Sequence, residues 1–223
     1  SGYVYRLNSM TLFPFSPFEQ VAQQMDLWGK KGIPFVFLVD YSLENAWAGS
    51  LEEAAELGFS FEFDSAGLPS ESIFFSKKPI SFPDYSEKFQ QVQAGLKRGD
   101  SFLLNLTAET AIETPLSLED IFQRADAPYK ILVQDYFTSF SPETFIQIQG
   151  NEIASFPMKG TLEVSDGLSE ASLQNDPKEK AEHATIVDLI RNDLSKIAYP
   201  IQVEKYQYVE KVKTNTGELW QMS

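Results

Sequence analysis

The stretch DPKEKAEHATIVDLIRNDLSKI, running from Asp176 to Ile197, reads as one long helix, and the rest of the chain is understood outward from it. Asp176 before Pro177 is a helix start: an acidic cap, then proline at the first helical position, where its missing N–H costs nothing. With Glu179 three residues after Asp176, the start has the form of a capping box. Glu179 and Glu182 lie three apart and so share one helix face. Two carboxylates there either favour the positive end of the helix dipole or share a divalent cation, and spacing alone leaves both readings open. His183 reads either as a packed or exposed histidine or as a catalyst. Asp188, Arg191, Asn192 and Asp193 read as an ion-pair face.

Upstream, the pattern is of strands interrupted by helices. Ser16-Pro17-Phe18-Glu19 has the form of a capping box opening a helix, with Val21, Met25 and Leu27 or Trp28 on its apolar stripe and Gly32 at its end. PFVFLVD (Pro34 to Asp40) is expected to be a buried strand. NAWAG and FSFEFD are further strands around a short helix at LEEAAELG, and Ser65 to Ser72 is a loop. A helix is expected from Tyr85 to Lys97, then a strand over SFLLNLTAETAIE and a short helix over LSLEDIFQRAD. YKILVQDYF, ETFIQIQ and EIASF are three successive strands, expected to lie side by side in one sheet. IQVEKYQYVEKVKT and GELWQM close the chain as strands. Without regular strand–helix–strand alternation, this order indicates an α+β fold with mostly antiparallel sheets.

Composition narrows the function. The chain has 223 residues, 43% of them apolar, enough for a real core rich in its 18 Phe and 9 Tyr. There is no cysteine and one histidine, which excludes disulfides, thiol catalysis and thiolate metal sites and poorly serves zinc or a Ser-His-Asp triad. A metal here would be oxygen-ligated and Mg²⁺-like. The formal net charge of −14 argues against nucleic acid and against an anionic membrane surface. A small anionic substrate remains compatible, because a local basic or metal site overrides the global charge. No apolar run has the ~18 residues of a membrane span, and SGYVYRLNSM lacks the basic-then-apolar pattern of a signal peptide; a cytoplasmic location is expected.

Two further segments carry candidate chemistry. In Phe156-Pro157-Met158-Lys159-Gly160-Thr161, a glycine beside the lysine lets the amine approach a ligand closely; the bland alternative is a surface lysine in a glycine turn. A nucleophilic lysine must be neutral, although its ordinary pKa is near ~10.4, and burial or a nearby cation would lower it. Ser141-Pro142-Glu143-Thr144-Phe145 supplies a carboxylate upstream.

These segments, in order, resemble the chorismate-binding enzyme family. KEKAEHATIVDLIRNDL is similar to that family's most diagnostic helix, Pro157-Met158-Lys159-Gly160-Thr161 to its Pro-Ile-Lys-Gly-Thr motif, and Ser141 to Phe145 to its Ser-Pro-Glu-Arg-Phe motif. Gly99 to Thr107 matches a fourth block, Gly-Asp-x-x-x-x-Asn-Leu-Thr, read as scaffold near the site. The resemblance covers Gly99 to Tyr208 well and is vague before Tyr85. It departs in three places: Thr144 replaces an arginine, Leu162-Glu163-Val164 replaces Arg-Pro-Arg, and Trp220 stands where the family has histidine.

The resemblance implies two packed, mostly antiparallel sheets with helices outside, formed by a single domain over residues 1–223 that is incomplete at its C-terminal end. It implies Glu182 as a Mg²⁺ ligand with Glu179 supporting the same site, Lys159 as nucleophile, Glu143 as general acid and base, and Gly160 and Thr161 at the substrate. Lysine at 159 points to the aminodeoxychorismate synthase component I type, which aminates chorismate with ammonia from a glutamine amidotransferase partner. The alternatives are an anthranilate synthase component I-like enzyme, which typically has alanine there, and a non-catalytic binding module. Because the family's later Gly-rich segment, substrate arginine and further metal-binding glutamates lie beyond Ser223, the chain alone is expected to be inactive. It is also expected to leave an exposed sheet edge after GELWQM through which copies could associate.

Overall fold

The computed structural model describes residues 3–6, 13–65, 67, 74–164, 169–214 and 217–223. The loop expected over Ser65 to Ser72 lies largely outside them. The first part of the chain contains β1 (Tyr3–Arg6), β2 (Ser16–Pro17), α1 (Phe18–Lys31), β3 (Val36–Val39), β4 (Asn45–Gly49), α2 (Leu51–Glu56) and β5 (Phe59–Ser65). The middle contains β6 (Ser76–Lys78), α3 (Phe82–Arg98), β7 (Ala111–Glu113), α4 (Leu118–Arg124), β8 (Ala127–Val133) and β9 (Phe137–Ser141). The last part contains β10 (Gln147–Gln149), β11 (Glu152–Ala154), β12 (Thr161–Glu163), α5 (Glu170–Gln174), α6 (Pro177–Leu194), β13 (Val209–Thr214) and β14 (Gly217–Met222). Every strand pair described is antiparallel. The α+β class with antiparallel sheets and helices is therefore what the chain adopts. Its strands group as β1-β9-β8-β5, β2-β4-β3, β12-β14-β13 and the two pairs β10-β11 and β6-β7.

The core sits on both faces of β8. Because side chains alternate along a strand, Val133 joins Phe13, Trp47, Ala54 and Phe59 on one side. Leu132 joins Leu118, Phe122 and Phe140 on the other, under α4. Helix α4 is fixed there by a capping box in which Ser117 and Asp120 bond each other's backbone N–H. On the same face Lys130 is 4% exposed. Its ammonium is held 2.8 Å from Glu62 and donates to the Phe122 carbonyl at 3.1 Å, so the buried charge is paired and hydrogen-bonded as it must be.

Several expectations are corrected. Ser16 does not cap α1; it pairs with Ala46 in β4, and the N-cap position falls to Pro17, which has no side-chain donor or acceptor to offer. The stripe of α1 runs through Val21, Met25 and Trp28, whereas Leu27 is 50% exposed. Segment PFVFLVD is not a buried strand: β3 is the edge of its sheet and Phe37 faces outward, 53% exposed. Helix α3 begins a turn before Tyr85, capped by Ser81 with Pro83 in its first turn.

In SFLLNLTAETAIE only Ala111–Glu113 is a strand. The preceding residues have no ladder, because no described surface covers Phe102 and Leu104, which are 94% and 51% exposed. YKILVQDYF is two strands, β8 and β9, folded into a hairpin at Asp135 with φ 62°. The strands between Tyr129 and Thr161 do not share one sheet but fall into three. Pro142 and Pro157, which have no N–H for a ladder, stand where the chain leaves one sheet and enters the next. Finally, GELWQM is not an edge. Strand β14 is central, with β12 on one side and β13 on the other. Edge strand β13 carries Glu210 and Lys211, charges that blunt pairing with another chain. Among the described residues no helix is long and apolar enough to cross a membrane.

The second core cluster yields a direct check. Phe122 is 1% exposed, so Phe122→Ala is expected to destabilise the fold by about 3–5 kcal/mol, read from urea unfolding. A loss under about 1 kcal/mol would show that α4 contributes little to the core.

Candidate functional site

Helix α6 starts as its sequence indicates. The Asp176 carboxylate accepts from the N–H groups of Lys178 and Glu179 at 2.8 and 3.1 Å. The cap is one-sided. Glu179, expected to return the bond and close a capping box, instead turns its carboxylate to the Lys178 ammonium at 3.0 Å. It also lies against Gly160: a β-carbon at that glycine would come within 2.9 Å of Glu179 Oε2. Gly160 has φ 93°, a conformation that glycine adopts freely and other residues resist. Backbone freedom and lack of a side chain are both used at this one position.

The turn holding Lys159 is tied to β14 on both sides. The Lys159 N–H donates to the Met222 carbonyl and the Met222 N–H to the Gly160 carbonyl, each at 3.0 Å. The Gln221 side-chain amide adds bonds to the Gly160 and Met222 carbonyls at 3.1 and 3.3 Å. So oriented, the Lys159 ammonium reaches Glu182 Oε2 at 3.3 Å, while Lys178 reaches Glu182 Oε1 at 3.4 Å. Burial pushes the Glu182 carboxyl upward, yet the hydrogen bonds and charges of Lys159 and then Lys178 outweigh it and hold the group below the ordinary glutamate value. Lys178 is raised, chiefly by its hydrogen bond to Glu179 and that group's charge. Lys159 is not sequestered: its side chain is 40% exposed and paired with a carboxylate.

Glu143 enters from the other direction. Its Oε1 accepts from the N–H of Met158 at 3.2 Å, one residue before the lysine. Its own N–H donates to Ser141 Oγ at 3.1 Å, which returns a bond to the Glu143 carbonyl at 3.0 Å. The Ser-Pro-Glu segment is thus a closed turn aimed at the lysine segment. Thr144, where the resemblance led one to look for arginine, shares a 2.6 Å hydrogen bond with the Tyr129 hydroxyl.

The structure therefore brings Lys159, Gly160, Glu179 and Glu182 together and anchors Glu143 on the adjoining peptide. Thr161 follows in β12, opposite Gln221, with its side chain exposed. Asp188 and Arg191 pair at 3.0 Å on the exposed surface of α6, as the ion-pair reading has it, and Asp193 pairs at 2.8 Å with Lys196 just beyond the helix end. Two residues with a part in the site were not singled out from sequence. Lys178 had a signal, its four-residue spacing to Glu182. Gln221 had none, being 61 residues from the carbonyl it holds. No group of three or more metal-binding side chains occurs among the described residues.

Behind these groups His183 is 1% exposed and neither ring nitrogen has a hydrogen-bond partner. Burial holds its pKa below the ordinary histidine value, against a smaller opposing pull from the Pro157 backbone. The ring packs edge-on to Tyr206, centroids 5.8 Å apart.

Comparison with known proteins gives the family. Residues 69–222 match the family of chorismate binding enzymes, and the chain belongs to that family. A Haemophilus influenzae protein named only as an uncharacterized PabA-like protein is 41% identical over 216 residues, covering 93% of this chain and 65% of that protein. The chain thus spans about two thirds of that relative's length. Aminodeoxychorismate synthase component 1 of Klebsiella aerogenes is 35% identical over 133 residues, covering 54% of this chain and 30% of that one. In fold, the chain resembles a Bacillus anthracis protein described as a 2,3-dihydroxybenzoate-specific isochorismate synthase. The TM-score is 0.57 at 16% identity, over 92% of this chain and 58% of that one.

Two outcomes follow from the site. Gly160→Ala forces a strained φ and a contact with Glu179, so it is expected to cost about 1–3 kcal/mol of stability and to move Glu179 off the turn. Thermal unfolding and a structure of the variant would check this; an unmoved Glu179 contradicts it. The second concerns pH. The folded His183 pKa lies below the unfolded value of ~6.5. The stability it supports is therefore full above about pH 6.5 and declines as pH falls below it, where the unfolded chain takes up the proton more readily. Urea midpoints measured from about pH 7 to 5 should fall more steeply in the wild type than in His183→Phe; parallel curves would contradict neutral burial.

Proposed function

We propose that this chain belongs to an aminodeoxychorismate synthase of the component I type, which aminates chorismate at C4 to give 4-amino-4-deoxychorismate for the folate pathway in the cytoplasm. The observation that carries the reading is the Lys159 turn. Its amine stands beside Glu182 and its preceding peptide is gripped by Glu143. The presence of lysine at this position separates the reading from the anthranilate synthase type, and the gathering of Lys159, Glu143, Glu179 and Glu182 around one turn speaks against a purely non-catalytic module.

Glu179 and Glu182 suit a hard divalent ion such as Mg²⁺. They offer only carboxylate oxygens, and both already converge on a single cationic group, the Lys178 ammonium. When bound there, Mg²⁺ would hold a substrate carboxylate and offset charge developing on the ring. The chain's own residues do the rest. After its ammonium, 40% exposed, gives up a proton to solvent, the Lys159 amine attacks C2 of chorismate as the C4 hydroxyl departs. Glu143 donates a proton to that leaving oxygen, so that water is released. Ammonia, supplied by a glutamine amidotransferase partner, then adds at C4 and the bond from C2 to Lys159 breaks, returning the amine. Gly160 keeps the path to the lysine clear, and Thr161 lines the substrate beside it.

The decisive variants are Lys159→Ala and Lys159→Arg in the full-length protein supplied with excess ammonia. A lysine that merely anchors a carboxylate could be replaced by arginine; a nucleophile could not, since guanidinium has no available lone pair. Both variants are expected to lose aminodeoxychorismate formation, with ammonia entering at C2 in the alanine variant. Glu143→Gln is expected to lower kcat by about 10²- to 10⁴-fold. Near-native aminodeoxychorismate formation in either lysine variant would defeat the covalent role.

A further inference from the structure

Lys178 stands between the two glutamates at the start of α6. Its ammonium lies 3.0 Å from Glu179 Oε1 and 3.4 Å from Glu182 Oε1, while Lys159 covers Glu182 Oε2 at 3.3 Å. Three of the four carboxylate oxygens face an ammonium, and the fourth, Glu179 Oε2, rests against Gly160. Two negative and two positive groups balance, so the pair of glutamates is electrically satisfied by the chain itself.

A divalent ion binding to the same two carboxylates would need their oxygens at about 2.0–2.1 Å. It would then press directly on whichever ammonium stayed, at a range where like charges repel strongly. One ammonium has to leave, and the surroundings decide which. Lys159 sits on a turn bonded to β14 through both backbone and Gln221. Lys178 has a side chain 72% exposed on a flexible stem, and an ammonium that water solvates well. Its backbone can stay in place, because the Asp176 cap holds the N–H and not the side chain.

We propose that Lys178 is a resident counter-cation: it keeps Glu179 and Glu182 side by side when no metal is present, and a divalent ion must displace it to bind. The inference rests on the reading of those glutamates as a metal-binding pair and adds a regulation of that site. Metal affinity is set by an exchange of one cation for another, and Lys178 weakens it while preventing the two carboxylates from splaying apart. A helix-surface ion pair with no further role would leave metal affinity untouched.

The test uses Mn²⁺ as probe, its binding to full-length protein followed by electron paramagnetic resonance without substrate. Lys178→Met and Lys178→Gln remove the competitor at an exposed position, and Lys178→Arg keeps its charge. Each exposed ion pair lost is modest, so the two together predict about three- to tenfold tighter Mn²⁺ binding in the Met and Gln variants. The Arg variant should stay near wild type, and Glu182→Gln should lose binding. Unchanged or weaker affinity in both neutral variants, with binding still lost in Glu182→Gln, overturns the exchange while leaving the metal pair intact. Binding indifferent to Glu182→Gln overturns the metal pair as well.

Discussion

The contact between Gly160 and Glu179 sets the geometry on which the rest of the site depends. A glycine with φ 93° allows the lysine turn to lie directly on the first turn of α6, with no side chain to hold the two apart. Given that approach, Lys159 and Glu182 fall within ion-pairing distance, and Glu143 can reach the Met158 N–H from the opposite side. Strand β14 supplies the third wall through its bonds to residues 159 and 160. Three segments far apart in sequence are thus assembled around one position where atoms come closer than any side chain would permit.

Much of this was legible from local chemistry. The start of α6 and the glycine stop of α1 depend on residues within a turn of each other, so short-range patterns identify them. The candidate site residues came from motifs whose order along the chain mirrors their convergence. What failed was the prediction of partners. An apolar run such as Phe102-Leu103-Leu104 has strand character, yet a strand exists only beside another, and pairing is a property of distant residues. The same limit hid the split at Asp135, the outward-facing Phe37 and the central place of β14. Gln221 shows it most plainly, since a glutamine near a chain end gives no sign that it holds a glycine carbonyl sixty residues earlier.

The charge of the site differs in kind from that of the molecule. The chain as a whole carries a formal charge of −14, but on and just after α6 Glu179, Glu182, Asp188 and Asp193 each face a lysine or an arginine. Surface pairs such as Arg191 with Asp188 are exposed and contribute little. Lys159 and Glu182 are more sheltered, at 40% and 26% side-chain exposure, and there the attraction is less screened by water. A site whose own charges balance repels an anionic small molecule less than the net charge of the whole chain would.

The register of β14 gives the protein an optical reporter. Successive side chains of a strand point to opposite faces, so Gln221 lies toward the lysine turn and Trp220 away from it. Trp220 stands between Leu162 and Lys211, its indole N–H unpartnered and the Lys211 ammonium 5.0 Å from its ring centre. The indole is one peptide unit from Gln221, whose side chain holds the Gly160 carbonyl at 3.1 Å. Its emission would follow a shift of the hairpin that grips Lys159 without an added label. With only two other tryptophans in the chain, Trp28 and Trp47, its signal can be separated by replacing those one at a time.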